Sequence, residues 1–209
     1  MQTMRRRKIL PSIQIASILL WSPLALSDFA KGMQAYSTGD YETALAEWAP
    51  LAEQGDAGSQ FGLGSLYAHG WGVELNDAEA LKWYEAAANQ GHGEAAYNIG
   101  VMYQNGWGVD QSDSESGKWM RMAAEAGFPA AHRAVGDIYA NGIGVEMDLV
   151  QAYRWYETGA KLGDSESHFD REELGPSMQP DEVAAAAEIA RAWQAEFSAK
   201  HPDFVWPEE

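Results

Sequence analysis

Apolar and polar positions along this chain repeat at a fixed interval of 36 residues. An apolar residue and Gly, then a Tyr, then a Gly-x-Gly-Val turn occur three times, at residues 63–73, 99–109 and 135–145. Apolar residues at helical spacing precede each turn and follow it. A tandem period of this length is typical of a solenoid, in which each unit buries its apolar face against its neighbours. The pattern therefore predicts an all-α solenoid of helix-turn-helix units.

Each unit is predicted to contain a first helix, called the A helix, and a second, called the B helix. The first A helix should span residues 57–69 and end at Gly70, because glycine adopts the left-handed conformation that closes a helix. Each B helix begins with a capping-box pattern, in which both the cap side chain and the partner three residues later bond backbone N–H groups. The three pairs are Asn76–Glu79, Ser112–Glu115 and Asp148–Gln151.

The units at the two ends of the array are atypical, as expected of solenoid ends. Residues 28–56 form a shorter unit with Pro50 inside its second helix. Residues 57–164 hold the three full repeats. Residues 165–209 then hold a partial repeat with a helix at 165–174, a capping helix at 180–199, and an aromatic tail that we expect to fold back.

The first 27 residues have the layout of a secretory signal peptide. Four basic residues, Arg5 to Lys8, precede an apolar stretch at 13–24, and small residues lead to a cleavage point after Ser27. The alternative is an uncleaved membrane anchor, although the apolar run is short for a span. We expect an exported protein, periplasmic or secreted, whose mature chain has no membrane span.

The chain is strongly acidic and contains no cysteine. Its formal net charge is −17, and removal of residues 1–27 would delete four positive charges and no negative ones, giving −21. Such a charge repels nucleic acid and favours a basic partner. The absence of cysteine excludes disulfides, thiolate metal sites and cysteine catalysis.

The repeated residues resemble the Sel1-like repeat, a relative of the tetratricopeptide repeat with a longer turn. The first unit carries the match at Leu63-Gly64, Tyr67, Gly70, Gly72-Val73, Ala80, Trp83-Tyr84, Ala87 and Gly91. The second unit departs from the pattern at Ser116 and Met120, and the third at Ile143 and Gly159. The resemblance implies a right-handed α-solenoid that acts as a non-catalytic scaffold or adaptor for protein contacts in the bacterial envelope.

The resemblance also implies where a partner would bind, because the A helices line the concave face of the related tetratricopeptide fold. The positions expected to face this groove vary between units, and a protein or an extended peptide is the expected partner. They are Phe61, Ser65, His69, Tyr97, Val101, Gln104, Asn105, Arg133, Asp137 and Asn141. Aromatic residues with Arg are the residue types enriched in interface hot spots.

Two alternatives for these residues remain open at the level of sequence. Phe61 and Tyr97 could complete the core between helices instead of contacting a partner. Asn105 and Asn141 could serve only to end their helices.

Other function classes find less support in the residues. The five histidines show no zinc-ligand spacing on one helix, and the serines show no nucleophile-elbow pattern. We therefore expect no catalytic residue, no metal and no cofactor. Two alternatives to a scaffold are an envelope hydrolase acting on cell-wall or β-lactam substrates, proposed for some cysteine-rich relatives, and a structural spacer in an envelope complex.

Overall fold

A computed structural model describes residues 23–207, and within that range the chain forms ten α-helices and no β-strand. Consecutive helices from the first to the ninth pack against each other, and the tenth packs against the eighth, which confirms the predicted α-solenoid. A 3₁₀ turn at Gly175–Ser177 separates the last two helices. The helices are α1 (Pro23–Ser37), α2 (Tyr41–Glu53), α3 (Ala57–His69), α4 (Asp77–Ala88), α5 (Gly93–Asn105), α6 (Asp113–Glu125), α7 (Pro129–Asn141), α8 (Leu149–Lys161), α9 (Ser165–Leu174) and α10 (Pro180–Lys200).

The predicted signal peptide lies mostly outside the described residues, which begin at Pro23. Helix α1 starts there, so the expected cleavage point after Ser27 falls within this helix. None of the helices in residues 23–207 combines the length and the apolar character that a bilayer crossing requires. Helices α1 and α2 form the short first unit, and Pro50 lies inside α2 as the sequence predicts.

The A helices of the three full repeats are α3, α5 and α7. Each ends at a glycine in the left-handed conformation, with φ between 66° and 72° at Gly70, Gly106 and Gly142. The B helices are α4, α6 and α8, and each begins directly after its predicted cap residue, at Asp77, Asp113 and Leu149. Local signals, namely the closing glycines and the cap residues, therefore predicted where these helices end and begin.

The capping boxes form only half of the predicted bonds. The side chains of Asn76, Ser112 and Asp148 accept from the backbone N–H three residues later, as expected. The backbone N–H of each cap, however, donates to the carbonyl of Tyr67, Tyr103 or Tyr139 in the preceding A helix, at 2.9–3.0 Å. The prediction that Glu or Gln would take this N–H is wrong, because the turn brings the A-helix carbonyl to it first.

The core depends on close contact between A-helix glycines and large B-helix side chains. A Cβ atom placed on Gly64 would lie 2.5 Å from the ring of Tyr84, and one on Gly136 would lie 2.3 Å from the ring of Tyr156. A Cβ on Gly100 would likewise lie 2.9 Å from Cε of Met120. The second residue of each repeated apolar-Gly pair is therefore glycine because the two helices meet there.

The C-terminal region closes the array. Helix α9 is capped by the Asp164 side chain, and α10 packs along α8. The tail folds back onto α10, where Trp206 Nε1 donates to Ser198 Oγ at 3.0 Å and the Phe204 ring meets Phe197 edge-on at 5.2 Å. The aromatic tail is thus partly covered by its own helix.

Candidate partner-binding face

The ten residues predicted to bind a partner lie on the three A helices, at matching positions. We call this set the A-helix face, and within one helix its members are four residues apart, which places them along one stripe. The first row is Phe61, Tyr97 and Arg133, the second is Ser65, Val101 and Asp137, and the third is His69, Asn105 and Asn141, with Gln104 beside it.

These side chains differ in how much of them a partner could reach. His69, Gln104, Asn105 and Asn141 are exposed. Ser65 is buried, with 7% of its surface exposed, so it cannot present a side chain to a partner. The remaining five are half-buried and show one edge at the surface.

The two aromatic residues of the first row contact the residue that precedes the next A helix. Phe61 stacks on His92, with ring centroids 4.5 Å apart, and Tyr97 packs at a tilt on Phe128 at 5.2 Å. Both also pack against the buried core. This geometry supports the interpretation of Phe61 and Tyr97 as residues that join successive repeats.

Arg133 completes the first row with charge instead of an aromatic ring. It forms ion pairs with Glu166 and Asp170 of α9, and its Nε lies 2.7 Å from Asp170 Oδ2. The hydrogen bond to Asp170 raises the pKa of Arg133 above its usual value. The guanidinium therefore links the third repeat to the partial fourth one.

In the second row, each residue type suits the B-helix side chain that it faces in its own unit. The Tyr84 hydroxyl donates to Ser65 Oγ at 3.3 Å, and the Tyr156 hydroxyl donates to Asp137 Oδ1 at 2.7 Å. The second unit has Met120 at that B-helix position and the apolar Val101 in the second row. The residue type in the second row therefore depends on the B-helix side chain that it contacts. Sequence reasoning missed this dependence, although a polar second-row residue occurs with Tyr and an apolar one with Met.

Burial perturbs the ionisable pair of the third unit. It raises the pKa of the Asp137 carboxyl, while the hydrogen bond from Tyr156 acts in the opposite direction. Burial, followed by the bond to Asp137, raises the pKa of Tyr156 far above its usual value. The Tyr156 hydroxyl and the nearby charge of Arg133 therefore both oppose the effect of burial on the pKa of Asp137.

The third row is bonded to its own helix. Asn105 Nδ2 donates to the Val101 carbonyl at 2.8 Å, and Asn141 Nδ2 donates to the Asp137 carbonyl at 2.9 Å. The His69 ring bonds the Ser65 carbonyl at 2.9 Å in the same way. Each residue lies directly before the closing glycine and its side chain bonds a carbonyl four residues earlier in its own helix, which favours a local role at the helix end for the two asparagines.

Replacing Tyr156 by Phe should raise the pKa of Asp137 further, because the bond that lowers it is lost. We expect a loss of about 1 kcal/mol in unfolding free energy at pH 7. The loss should shrink as the pH falls and Asp137 becomes protonated. Carboxyl chemical shifts during an NMR pH titration measure the pKa directly. Tyr84→Phe is the matched control, and an unchanged Asp137 pKa in Tyr156→Phe would contradict the assignment.

Within residues 23–207, no group of three or more His, Asp or Glu side chains is arranged to hold a metal ion. The A-helix face presents amides, imidazole, a paired guanidinium and aromatic edges. These groups can hydrogen-bond and pack against another chain, which suits recognition of a protein surface.

Comparison with known proteins shows which family the three repeats match. The Sel1 repeat family matches residues 57–92, 93–128 and 129–164. The crystal structure of a Sel1 repeat protein from Oxalobacter formigenes is similar, with a TM-score of 0.59 and 38% identity over 62% of this chain and 98% of that one. A protective antigen of uropathogenic Escherichia coli with an SLR fold has a TM-score of 0.57 at 23% identity, over 88% of this chain and 49% of that one.

Two curated relatives match a shorter segment. One is an exopolysaccharide production negative regulator of Rhizobium meliloti (strain 1021), 42% identical over 62 residues, which are 30% of this chain and 22% of the regulator. The protein of the same name from Rhizobium leguminosarum bv. viciae is 41% identical over 56 residues, 27% of this chain and 21% of that one. The chain therefore matches about a fifth of the length of these relatives.

Proposed function

Because the chain belongs to the Sel1 repeat family, we propose that it is a non-catalytic scaffold of the bacterial cell envelope that binds a protein or an extended peptide. Sel1 repeat proteins generally serve as scaffolds for protein–protein interaction, and their fold is typically non-catalytic. The envelope location rests on the predicted signal peptide. The name of the rhizobial relatives, a negative regulator, is compatible with a role exerted by binding.

The main support for the scaffold proposal is the arrangement of side chains on the A-helix face. Three successive A helices present the same stripe, whose exposed side chains are His69 in the first unit, Gln104 and Asn105 in the second, and Asn141 in the third. Ser65 contributes only from below the surface, through its bond with Tyr84. The proposed binding residues are therefore the other nine members of the face, of which Phe61, Tyr97, Asn105 and Asn141 also contribute to the structure of the repeats.

Charge supports a basic partner at one end of this face. Asp137, Glu166, Asp170 and Glu173 lie on α7 and α9, and Arg133 pairs with two of these four acids. At the other end Phe61 and Tyr97 show apolar edges. A segment with an apolar residue followed by a basic one would match both ends.

Substituting Gln104 by Arg should weaken partner binding strongly, because it adds bulk and positive charge at the centre of the proposed face. The purified chain would be used to capture partners from an envelope extract of the source organism, followed by mass spectrometry. We expect a stoichiometric partner whose affinity falls at least about tenfold with Gln104→Arg, as for a hot-spot change.

Ala185→Arg is the matched control, because Ala185 is an exposed helical residue on α10 and the substitution adds the same charge. It should leave capture unchanged. Capture that is equally strong with Gln104→Arg would place the partner elsewhere. Failure to capture any partner, together with turnover of a cell-wall substrate, would overturn the scaffold proposal.

A further inference from the structure

The turn between the A and B helices presents one residue at the same place in each full repeat. These middle residues of the Gly-x-Gly-Val turns are Trp71, Trp107 and Ile143. The glycine after each one packs against the first residue of a B helix in the preceding unit. A Cβ on Gly72, Gly108 or Gly144 would lie 2.9, 2.8 or 3.3 Å from the Cβ of Tyr41, Asp77 or Asp113, respectively.

In the first full repeat, aromatic rings of the chain itself cover the turn tryptophan. The Tyr41 ring stacks on Trp71 with centroids 5.0 Å apart and an angle of 8°. The His69 ring stacks on it at 4.2 Å and 16°. The position thus accepts planar groups laid parallel to the indole.

In the second full repeat the equivalent tryptophan lacks this cover. Asp77 stands where Tyr41 stands, Asn105 stands where His69 stands, and the Asn105 amide is turned to the Val101 carbonyl. Half of the Trp107 surface is exposed, at 50%. An indole that packs internally in one unit is therefore open to a partner in the next.

The surroundings of Trp107 are acidic. The residue after each turn valine is an exposed acid, namely Glu74, Asp110 or Glu146. Asp77 lies against Gly108, the residue directly after Trp107, and Asp110 follows Trp107 by three residues, whereas Asp113 lies against Gly144 of the next turn. A half-exposed indole among carboxylates attracts a cation both through the ring face and through charge.

We propose that Trp107 and the acidic turns around it form a docking point for an arginine side chain of a partner protein. A guanidinium is planar, so it can lie on the indole as Tyr41 and His69 lie on Trp71, and its N–H groups can pair with the nearby carboxylates. The same pairing occurs inside this chain, where the Arg154 guanidinium lies 3.9 Å from the Trp155 ring centroid. This docking point is separate from the A-helix face and stands on different residues.

The test uses the ¹⁵N-labelled full chain titrated with two blocked peptides, hexa-arginine and hexa-lysine. The indole N–H signal of Trp107, assigned by its loss in Trp107→Ala, should move most. Hexa-arginine should bind about threefold more tightly than hexa-lysine, and Trp107→Ala should remove that difference. Trp107→Tyr keeps an aromatic face and should restore it.

Two matched substitutions separate the docking point from general attraction to an acidic protein. Asp77→Asn and Asp181→Asn each remove one charge from the first turn of a helix. Asp77→Asn should weaken hexa-arginine binding about threefold more than Asp181→Asn does.

Equal binding of the two peptides, or an unchanged difference in Trp107→Ala, would overturn the proposal. So would sedimentation showing that Trp107→Ala abolishes self-association, because the occupant would then be a second copy of the chain. Failure of the Gln104→Arg experiment would leave this result untouched, since the two surfaces share no residue.

Discussion

Lowering the pH from 7 to 4 is expected to weaken the folded state by about 3 kcal/mol through His132 alone. His132 is fully buried, with its ring edge-on to the indoles of Trp155 and Trp193. Burial lowers its pKa from 6.5 to about 4, against the opposing effect of the bond to the Phe128 carbonyl. The charged imidazolium has no acceptor for Nε2 in this enclosure, so the folded state holds the ring neutral.

The sign of the effect follows from proton binding in the two states. The unfolded chain binds a proton at His132 near pH 6.5, whereas the folded chain does so only near pH 4. Stability from this residue is therefore complete above pH 6.5 and is lost as the pH falls through this window. A difference of roughly 2.5 pH units corresponds to about 3 kcal/mol.

Urea unfolding followed by circular dichroism between pH 7 and pH 4 measures this dependence. His132→Asn removes the titrating group and keeps a donor near the Phe128 carbonyl, so its stability should vary less with pH although its stability at pH 7 is lower. His168→Asn, one repeat further and exposed, is the matched control and should retain the full slope. Equal slopes in the chain and in His132→Asn would refute the assignment.

Substituting Gly136 by Ala should lower the unfolding free energy by about 1–3 kcal/mol, which is the usual cost of overpacking. The new Cβ would lie 2.3 Å from Cε1 of Tyr156. The ring cannot swing aside freely, because its hydroxyl is bonded to Asp137 at 2.7 Å. Helix propensity favours Ala over Gly by less than about 1 kcal/mol, so the steric cost exceeds the gain.

Two glycines of the same chain provide graded controls. Gly100 faces Met120, whose flexible side chain can yield, so Gly100→Ala should cost less than Gly136→Ala. Gly117 lies inside α6, and a new Cβ would stand 3.7 Å from Arg121 Nη1 and Ile138 Cδ1, which is ordinary van der Waals contact. Gly117→Ala should therefore stabilise the chain by roughly 0.5–1 kcal/mol.

Thermal unfolding of the three variants ranks their stabilities. The melting temperature should shift by about 2–4 °C per kcal/mol for a chain of this size. If Gly100→Ala destabilised the chain as much as Gly136→Ala, the hydrogen bond that holds the Tyr156 ring would not determine the cost of the substitution. An increase in melting temperature for Gly136→Ala would show that the helices separate freely at this contact.

Bounds of the repeat helices could be predicted from sequence because their signals are local. The caps at Asn76 and Ser112 and the terminal glycines Gly70 and Gly106 act within one turn of the residues they affect. The second half of the capping box could not be predicted in this way. Its outcome depends on the Tyr67 carbonyl, nine residues before the cap that bonds it.

The A-helix face was only partly predictable for the same reason. Helical period placed its members on one stripe, which the structure retains. Period alone could not distinguish a side chain that meets a partner from one that meets a neighbouring helix. Ser65 and Asp137 meet tyrosines 19 residues further along the chain.

The sequence by itself determined the architecture, because the 36-residue period, the caps and the left-handed glycines repeat in register and act over a few residues. Tertiary structure alone decided which variable positions remain open. Trp71 and Trp107 occupy the same place in the repeat, yet the first is stacked on Tyr41 and the second stands near Asp77. That difference arises from residues 30 positions upstream, which only the packing of successive units brings to the turn.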